Sequence, residues 1–271
     1  MGRLIRRGSG WRSLFYFAAA VAGAILLANL LFLKESRAAL GFPEPEVNPL
    51  NVFKEDGSKA NSGNLSSLLK PLLLNREFWI VCFLSLCTTI VRETFNTWTP
   101  TYLHNLFAYS AASAAGASAV FPAVGAISVV IAGWTSDQMG ARGRSIVLVI
   151  GLVLTTVGLS FMTAIKSGAG SLLPMVLIGI VAFGLLGPYS YLAGAMALDF
   201  GGQKGGATSS GIIDGVGYLG GVLAGDSVAR VSIGFGWRGV FFALAIVSAA
   251  SAIAAGILSL RLRRKISEVL D

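Results

Sequence analysis

Seven apolar blocks punctuate the chain, at about 14–33, 78–98, 112–133, 145–165, 171–197, 207–229 and 239–260. Each is close to the roughly 20 residues that carry an α-helix across about 30 Å of hydrocarbon, at about 1.5 Å per residue. None shows the sustained alternation over ~10 residues that an outer-membrane strand needs. Pro122, Pro174 and Pro188 fall inside blocks, and membrane helices tolerate proline more readily than soluble ones. The pattern predicts an all-α membrane protein with about seven transmembrane helices.

One long polar segment interrupts the series. Residues 34–77 carry Pro43, Pro45, Pro49, Gly57 and Gly63 and read as a flexible linker. Its end, LSSLLKPLLLNREFW, has the look of a short amphipathic piece on the membrane surface. The organisation predicted is a first helix with a basic arm (1–33), a linker (34–77), a six-helix bundle (78–260) and a tail (261–271). The first block resembles a signal peptide in its flanks, with Arg3, Arg6 and Arg7 before it and Ser36-Arg37-Ala38 after it. Its run of nearly 20 residues exceeds the ~7–15 of a signal core and ends at Lys34-Glu35, so a retained span is expected.

Composition agrees with a bilayer. Of 271 residues, 54% are hydrophobic and 13% charged, against roughly 45–50% and 25% in soluble domains. A net charge of +8 would suggest a nucleic-acid partner in a soluble protein. Here the bases lie between apolar blocks, which is a topology signal and predicts no nucleic acid. With the linker in the cytoplasm, thirteen bases fall on that side and seven on the other, and Arg92 is inside a helix. This predicts a multi-pass protein of the plasma or inner membrane with cytoplasmic linker and tail. Four of the outer bases (Arg3, Arg6, Arg7 and Arg12) crowd the first twelve residues, a poor start for a translocated end. The sequence reads like the second half of a longer protein. Cys82 and Cys87 lie five apart in one block, beyond bridging on a regular helix, and His104 is the one histidine. No metal, cofactor or enzymatic activity is expected.

The strongest local signal is VRETFNTWTPTYL, residues 91–103. Arg92 falls near the middle of its helix, where an arginine costs a few kcal/mol unless it meets a polar cavity or a partner. A guanidinium offers a planar fork suited to phosphate or carboxylate, which points to an anion site. A structural pair with Glu93 or another acid is the competing reading. Glu93 sits about 100° round the helix and need not neutralise Arg92. Trp98, Thr99, Pro100 and Tyr102 follow, as interface aromatics and a kink would.

Asp214 lies inside the sixth block and is a candidate site residue for that reason. Tyr218, four residues on, shares its face. Around them Gly211/Gly215, Gly217/Gly221 and Gly221/Gly225 are small-xxx-small pairs, expected to pack. Lys204, in GGQKGG, lacks the phosphate-loop context and reads as a membrane-surface anchor. GWTSDQMGARGR, residues 133–144, is a tight loop in which Gly133, Asp137, Gly140, Arg142 and Arg144 can link helix ends by charge.

This last spacing resembles the cytoplasmic loop motif of the major facilitator superfamily, with Gln138 where a base is usual. The chain as a whole is similar to the second half of that superfamily's organophosphate:phosphate antiporters, the glycerol-3-phosphate and hexose-phosphate transporters and related sugar-phosphate sensors. GWRSLFYF, VRETFNTWTPTYL, GPYSYLAGAMALDFGGQKGGATSSGIIDGVGYLGG and GWRGVFFALA carry the resemblance. It implies that Arg92 is the second-half arginine that grips the substrate phosphate, and that Tyr218 lines the site. Thr97, Pro122 and Leu186 stand where the glycerol-phosphate branch has an aspartate, an acid and a tyrosine. Glu93 and Asp214 are candidates to replace that network.

The resemblance further implies two six-helix halves, repeats with a site between them near the midplane. This chain would supply the last helix of the first half, the linker and the whole second half. Its partners would be a phosphate ester, inorganic phosphate, the bilayer and a first-half polypeptide. The function expected is organophosphate transport in exchange for phosphate; a membrane sensor of sugar phosphate is the alternative. A retinal-binding receptor is disfavoured, because no lysine lies in the last block.

Overall fold

A computed structural model describes residues 12–34, 40–41, 50–53, 65–139, 143–166 and 172–270. Among these residues the only regular structure is helical, and no strand is present. The chain divides into two units, Met1–Glu46 and Val47–Asp271. The first contains α1, Arg12–Phe32. Its described side chains are exposed or half-exposed all round, which for so apolar a helix is the surface that lipid covers.

The second unit runs through α2 (Leu65–Leu73), α3 (Arg76–Phe107), α4 (Ala111–Ser118), α5 (Val120–Gln138), α6 (Gly143–Ala164), α7 (Leu172–Tyr191) and α8 (Ala197–Leu270). A π-helical turn, Leu192–Met196, joins α7 to α8, with Gly194 at φ −92°, ψ −105°. Five stretches among the described residues are long and apolar enough to cross a membrane, and the last of them runs 93 residues from Leu172 to Arg264. That is several times what one crossing needs. Gly202 (φ 55°, ψ −154°) and Gly236 (φ 67°, ψ −178°) break it, at backbone angles that only glycine adopts readily. The two breaks divide the run where the polar stretches of the sequence do. The five stretches thus hold the seven crossings expected, with α8 contributing a middle arm (203–235) and a last arm (237–270).

The amphipathic end of the linker is α2, seated at the foot of α3. Leu72 is fully buried, and the Trp79 indole donates to the Leu73 carbonyl at 2.8 Å. Asn75 caps α3, its Oδ1 accepting from the Phe78 N–H at 3.1 Å, which satisfies one of the orphan donors of the first turn. At the other end Ala108 adopts φ 53° and closes on Leu103. His104 Nδ1 lies 2.7 Å from the Tyr109 carbonyl, so the histidine fastens a helix end.

Within the bundle α3 packs on α8, α6 on α7 and α8, and α5 on α7. Small residues set the separations. A Cβ on Gly184 would lie 2.7 Å from the Gly151 carbonyl oxygen, and one on Gly187 2.6 Å from Ser128 Oγ. Ser128 also accepts from the Gly187 N–H at 3.1 Å. Lipid offers no hydrophobic drive between helices, so close backbone approach and such bonds carry the association. The glycines of the middle arm behave less uniformly than their spacing suggests. Gly217 and Gly220 lie tight on Ser85 and the Leu86 carbonyl of α3, whereas Gly211, Gly215 and Gly225 have no atom within 4 Å of where a Cβ would be. Residue separation alone gives the stripe but not its rotation.

The aromatic end of α3 also departs from expectation. Tyr102 is 2% exposed, packed at 5.4 Å on Trp237 and 4.9 Å on Phe241. Trp98 Nε1 donates to the Ala224 carbonyl at 3.3 Å. Tyr102 is a core residue and Trp98 is half-buried, and both tie α3 to α8 rather than forming an interface belt. The helix runs on through Pro100 to Phe107. Cys82 and Cys87 are free, buried thiols.

Candidate functional site

Arg92 stands at the midpoint of α3, sixteen residues from Arg76 and fifteen from Phe107. Its guanidinium lies 4.5 Å above the Tyr189 ring of α7, a cation–π contact that gains strength where water is scarce. Nη2 is 2.7 Å from Glu93 Oε1, and the two side chains retain 19% and 27% of their exposure. Tyr218, on the middle arm of α8, brings its hydroxyl within reach of the same guanidinium. Tyr218 is 59% exposed. Three helices therefore converge on one cation, and the assembly is open on one side.

Glu93, which need not have neutralised Arg92, does reach it, so the pair weighed as the competing reading is present. The 100° between neighbouring positions separates their Cα–Cβ directions, but both side chains are long enough to swing together. Even so, Glu93 does not saturate the guanidinium. Arg92 Nε is buried with no hydrogen-bond partner, as is Thr89 Oγ1 one turn earlier on α3. Buried donors without partners are rare in folded proteins. Both atoms are buried, so the surface an anion meets is the 19% of the Arg92 side chain that stays exposed, whose planar fork suits the acceptor oxygens of a phosphoryl group.

Asp214 sits one turn before Tyr218 on the middle arm and is half-buried. Among the described residues no base lies within ion-pair distance of it. It shares the face of Tyr218 but is not joined to Arg92. Tyr189 is the residue that sequence reasoning missed. It lies three positions after Leu186 in α7, one turn along the same face, and supplies an aromatic ring where Leu186 does not.

The loop motif folds mostly as helix. Gly133 and Asp137 belong to α5, Asp137 exposed in its last turn. Gly140 and Arg142 lie outside the described residues. Arg144, at the start of α6, donates to both carboxylate oxygens of Asp199 at the start of α8. The predicted linking of helix ends by charge is therefore made by Arg144 with Asp199. Asp199 carried no signal of its own beyond an acid just before the paired glycines.

With the site in place, comparison with known proteins identifies the scaffold. The family model for the Major Facilitator Superfamily matches residues 1–225. The chain belongs to that superfamily. A probable hexose phosphate transport protein of Chlamydia pneumoniae is 27% identical over 255 residues, covering 87% of this chain and 54% of the relative. The membrane sensor protein UhpC of Escherichia coli is 26% identical over 249 residues, with 90% and 56% covered. A glycerol-3-phosphate transporter of Bacillus subtilis is 23% identical over 241 residues, with 86% and 53% covered. The chain spans about half the length of these relatives. It is a multi-pass membrane protein of a transporter superfamily, not an enzyme.

Proposed function

We propose that the chain is the second half of an organophosphate transporter, and that Arg92 provides its side of the grip on the phosphoryl group. The observation that carries this reading is the guanidinium at mid-span, laid on Tyr189, reached by Tyr218 and still holding a free Nε–H. A charge held there is expensive unless an anion meets it. The named relatives act on hexose phosphate and glycerol 3-phosphate, both phosphate esters. Exchange against inorganic phosphate follows the hexose-6-phosphate:phosphate antiporter of Escherichia coli, 23% identical over 268 residues.

A single half cannot enclose a substrate or rock about a site, so transport needs a first-half polypeptide. The open side of the Arg92 cluster and the uncovered glycines Gly211, Gly215 and Gly225 favour such a partner. The linker and the tail are placed in the cytoplasm. Supporting this, both meet the same end of the bundle: Val52 N–H donates to the Phe200 carbonyl at 3.0 Å, and Arg261 lies 3.9 Å from Glu77. The bases of that end, Lys70, Arg76, Arg144, Lys204 and Arg261, follow the positive-inside bias. Asp137 and Arg144 of the loop motif then lie at the cytoplasmic ends of α5 and α6, where helices shift during rocking.

A sensor of sugar phosphate is the second reading, favoured by the similarity to UhpC. Proteoliposomes carrying this chain with a first-half polypeptide decide between them. Exchange of labelled phosphate for hexose phosphate, lost when either half is left out, supports transport. Hexose phosphate binding without exchange supports sensing, and neither binding nor exchange contradicts both.

A further inference from the structure

We propose that residues 51–53 of the linker are a splint across the break at Gly202, fixing the angle at which the middle arm of α8 leaves the turn after α7. This splint does not depend on the phosphate reading, and it gives a role to glycines of the GGQKGG stretch, residues 201–206, that the Arg92 site does not use. Three consecutive residues touch the chain before, at and after the break. The Val52 N–H donates to the Phe200 carbonyl at 3.0 Å, two residues before Gly202. Asn51 lies against Gly202 itself, so closely that a Cβ there would strike its side-chain amide. The Phe53 ring lies on Gly205 in the same way, and Lys204 Nζ stands 5.8 Å from the centroid of that ring.

Each contact answers a need of the break. A helix that stops leaves its last carbonyls without partners one turn on, and Val52 supplies one to Phe200. Phe200 is 1% exposed, with its ring 6.1 Å from that of Phe78 on α3, so the linker is fastened to the core. Gly202 is a glycine for its φ of 55°, a conformation that side chains resist. Gly205 has no positive φ, and inside a helix glycine is less stable than alanine. What Gly205 provides is a seat for the Phe53 ring. The splint is shaped before it docks, because Asn51 Oδ1 accepts from the Phe53 N–H at 3.0 Å, an asparagine turn of the usual kind. Leu50, Val52 and Phe53 are half-buried and pack on the core of the bundle.

Hinges are a few residues at element ends that absorb a change of backbone angle. One held on both sides by the same short piece of chain cannot bend until that piece lets go. Gly217 and Gly220 hold the middle of the arm to α3; the linker holds its root. Further along the same arm are Asp214 and Tyr218. Whatever lifts the linker from Gly205 therefore frees the helix that brings Tyr218 to Arg92, and the linker becomes a handle on that helix.

Pulsed EPR on the chain in lipid nanodiscs tests this, with spin labels on cysteines introduced at Leu173 of α7 and Ile233 of the middle arm. Both positions are exposed, whereas Cys82 and Cys87 are buried. The wild type should give one narrow distance distribution, and Phe53→Ala should roughly double its width as the arm gains freedom at its root. An unchanged width would overturn the proposal and leave the arm held by α3 alone. Amide exchange and thermal unfolding of the unlabelled chain examine the seat. Gly205→Ala, whose Cβ meets the Phe53 ring, should speed exchange of the Val52 amide about tenfold. In a Phe53→Ala background the same substitution meets no ring and should raise the unfolding temperature, because alanine is the better helix former. Wild-type exchange at Val52 in Gly205→Ala, or the same change of unfolding temperature in both backgrounds, would overturn the splint.

Discussion

Two arginine–carboxylate pairs occupy opposite situations in this bundle. Arg144 and Asp199 come from different helices, 55 residues apart, and tie the start of α6 to the start of α8 with both carboxylate oxygens engaged. Arg92 and Glu93 are chain neighbours, joined by one oxygen at mid-span, and leave an Nε–H unused. In the first pair one guanidinium nitrogen, Nη1, engages both oxygens and ties two helices together. The second joins neighbours of one helix and holds no helices together. The same two side-chain types thus serve as a clasp in one place and as a receptor in the other. Geometry decides between the roles: whether the partners belong to one element or two.

That contrast can be broken at four points. The most disruptive is Gly220→Leu, because even a Cβ there strikes the Leu86 carbonyl and backbone cannot give way as a side chain can. Forcing α3 from the middle arm should destabilise by about 3 kcal/mol and abolish phosphate binding. Thermal unfolding in nanodiscs alongside phosphate titration measures both. Next is Arg92→Lys, which keeps charge but loses the fork, and should weaken phosphate-ester binding at least tenfold, about 1.4 kcal/mol. Its unfolding temperature should barely change.

Arg144→Ala should do the reverse. It removes one partner of Asp199, but Arg144 is itself 37% exposed, so the loss is discounted to about 1 kcal/mol of stability. Phosphate affinity should stay at the wild-type value in the same titration. Smallest is Asp226→Asn, which removes the exposed pair to Arg230 on the middle arm. Exposed pairs contribute little, and neither stability nor binding should move measurably. A change in binding for Arg144→Ala as large as for Arg92→Lys would erase the distinction between clasp and receptor.

What could be read from the sequence was what depends on position along the chain. Seven blocks of the right length fix the crossings, because hydrocarbon thickness sets a minimum run of apolar residues. Pro71 and the leucines of the linker's end mark α2, and Arg92 is conspicuous because a charge inside a span needs a reason. What could not be read depends on rotation about helix axes and on which helices meet. Tyr189 is one more aromatic residue until α7 turns its ring under Arg92. Gly217 and Gly220 are indistinguishable by spacing from Gly211 and Gly215, yet only the first two touch α3. Tyr102 has the composition of an interface belt and lies in the core because Trp237 and Phe241 cover it. The pairing of Arg92 with Glu93 is one of two readings left open, for a different reason. The helical wheel places Cβ atoms, and long side chains reach past it.

The central claim, that the Arg92 guanidinium receives the phosphoryl group, is tested most directly by measuring their separation. Solid-state NMR of the chain paired with a first-half polypeptide in bilayers, with only this chain's arginines labelled in their guanidinium nitrogens and inorganic phosphate added, reads dipolar coupling between nitrogen and phosphorus. The account predicts coupling from one guanidinium at hydrogen-bond distance, present in the wild type and gone in Arg92→Lys. Coupling that survives Arg92→Lys unchanged, or none in the wild type under saturating phosphate, would contradict it.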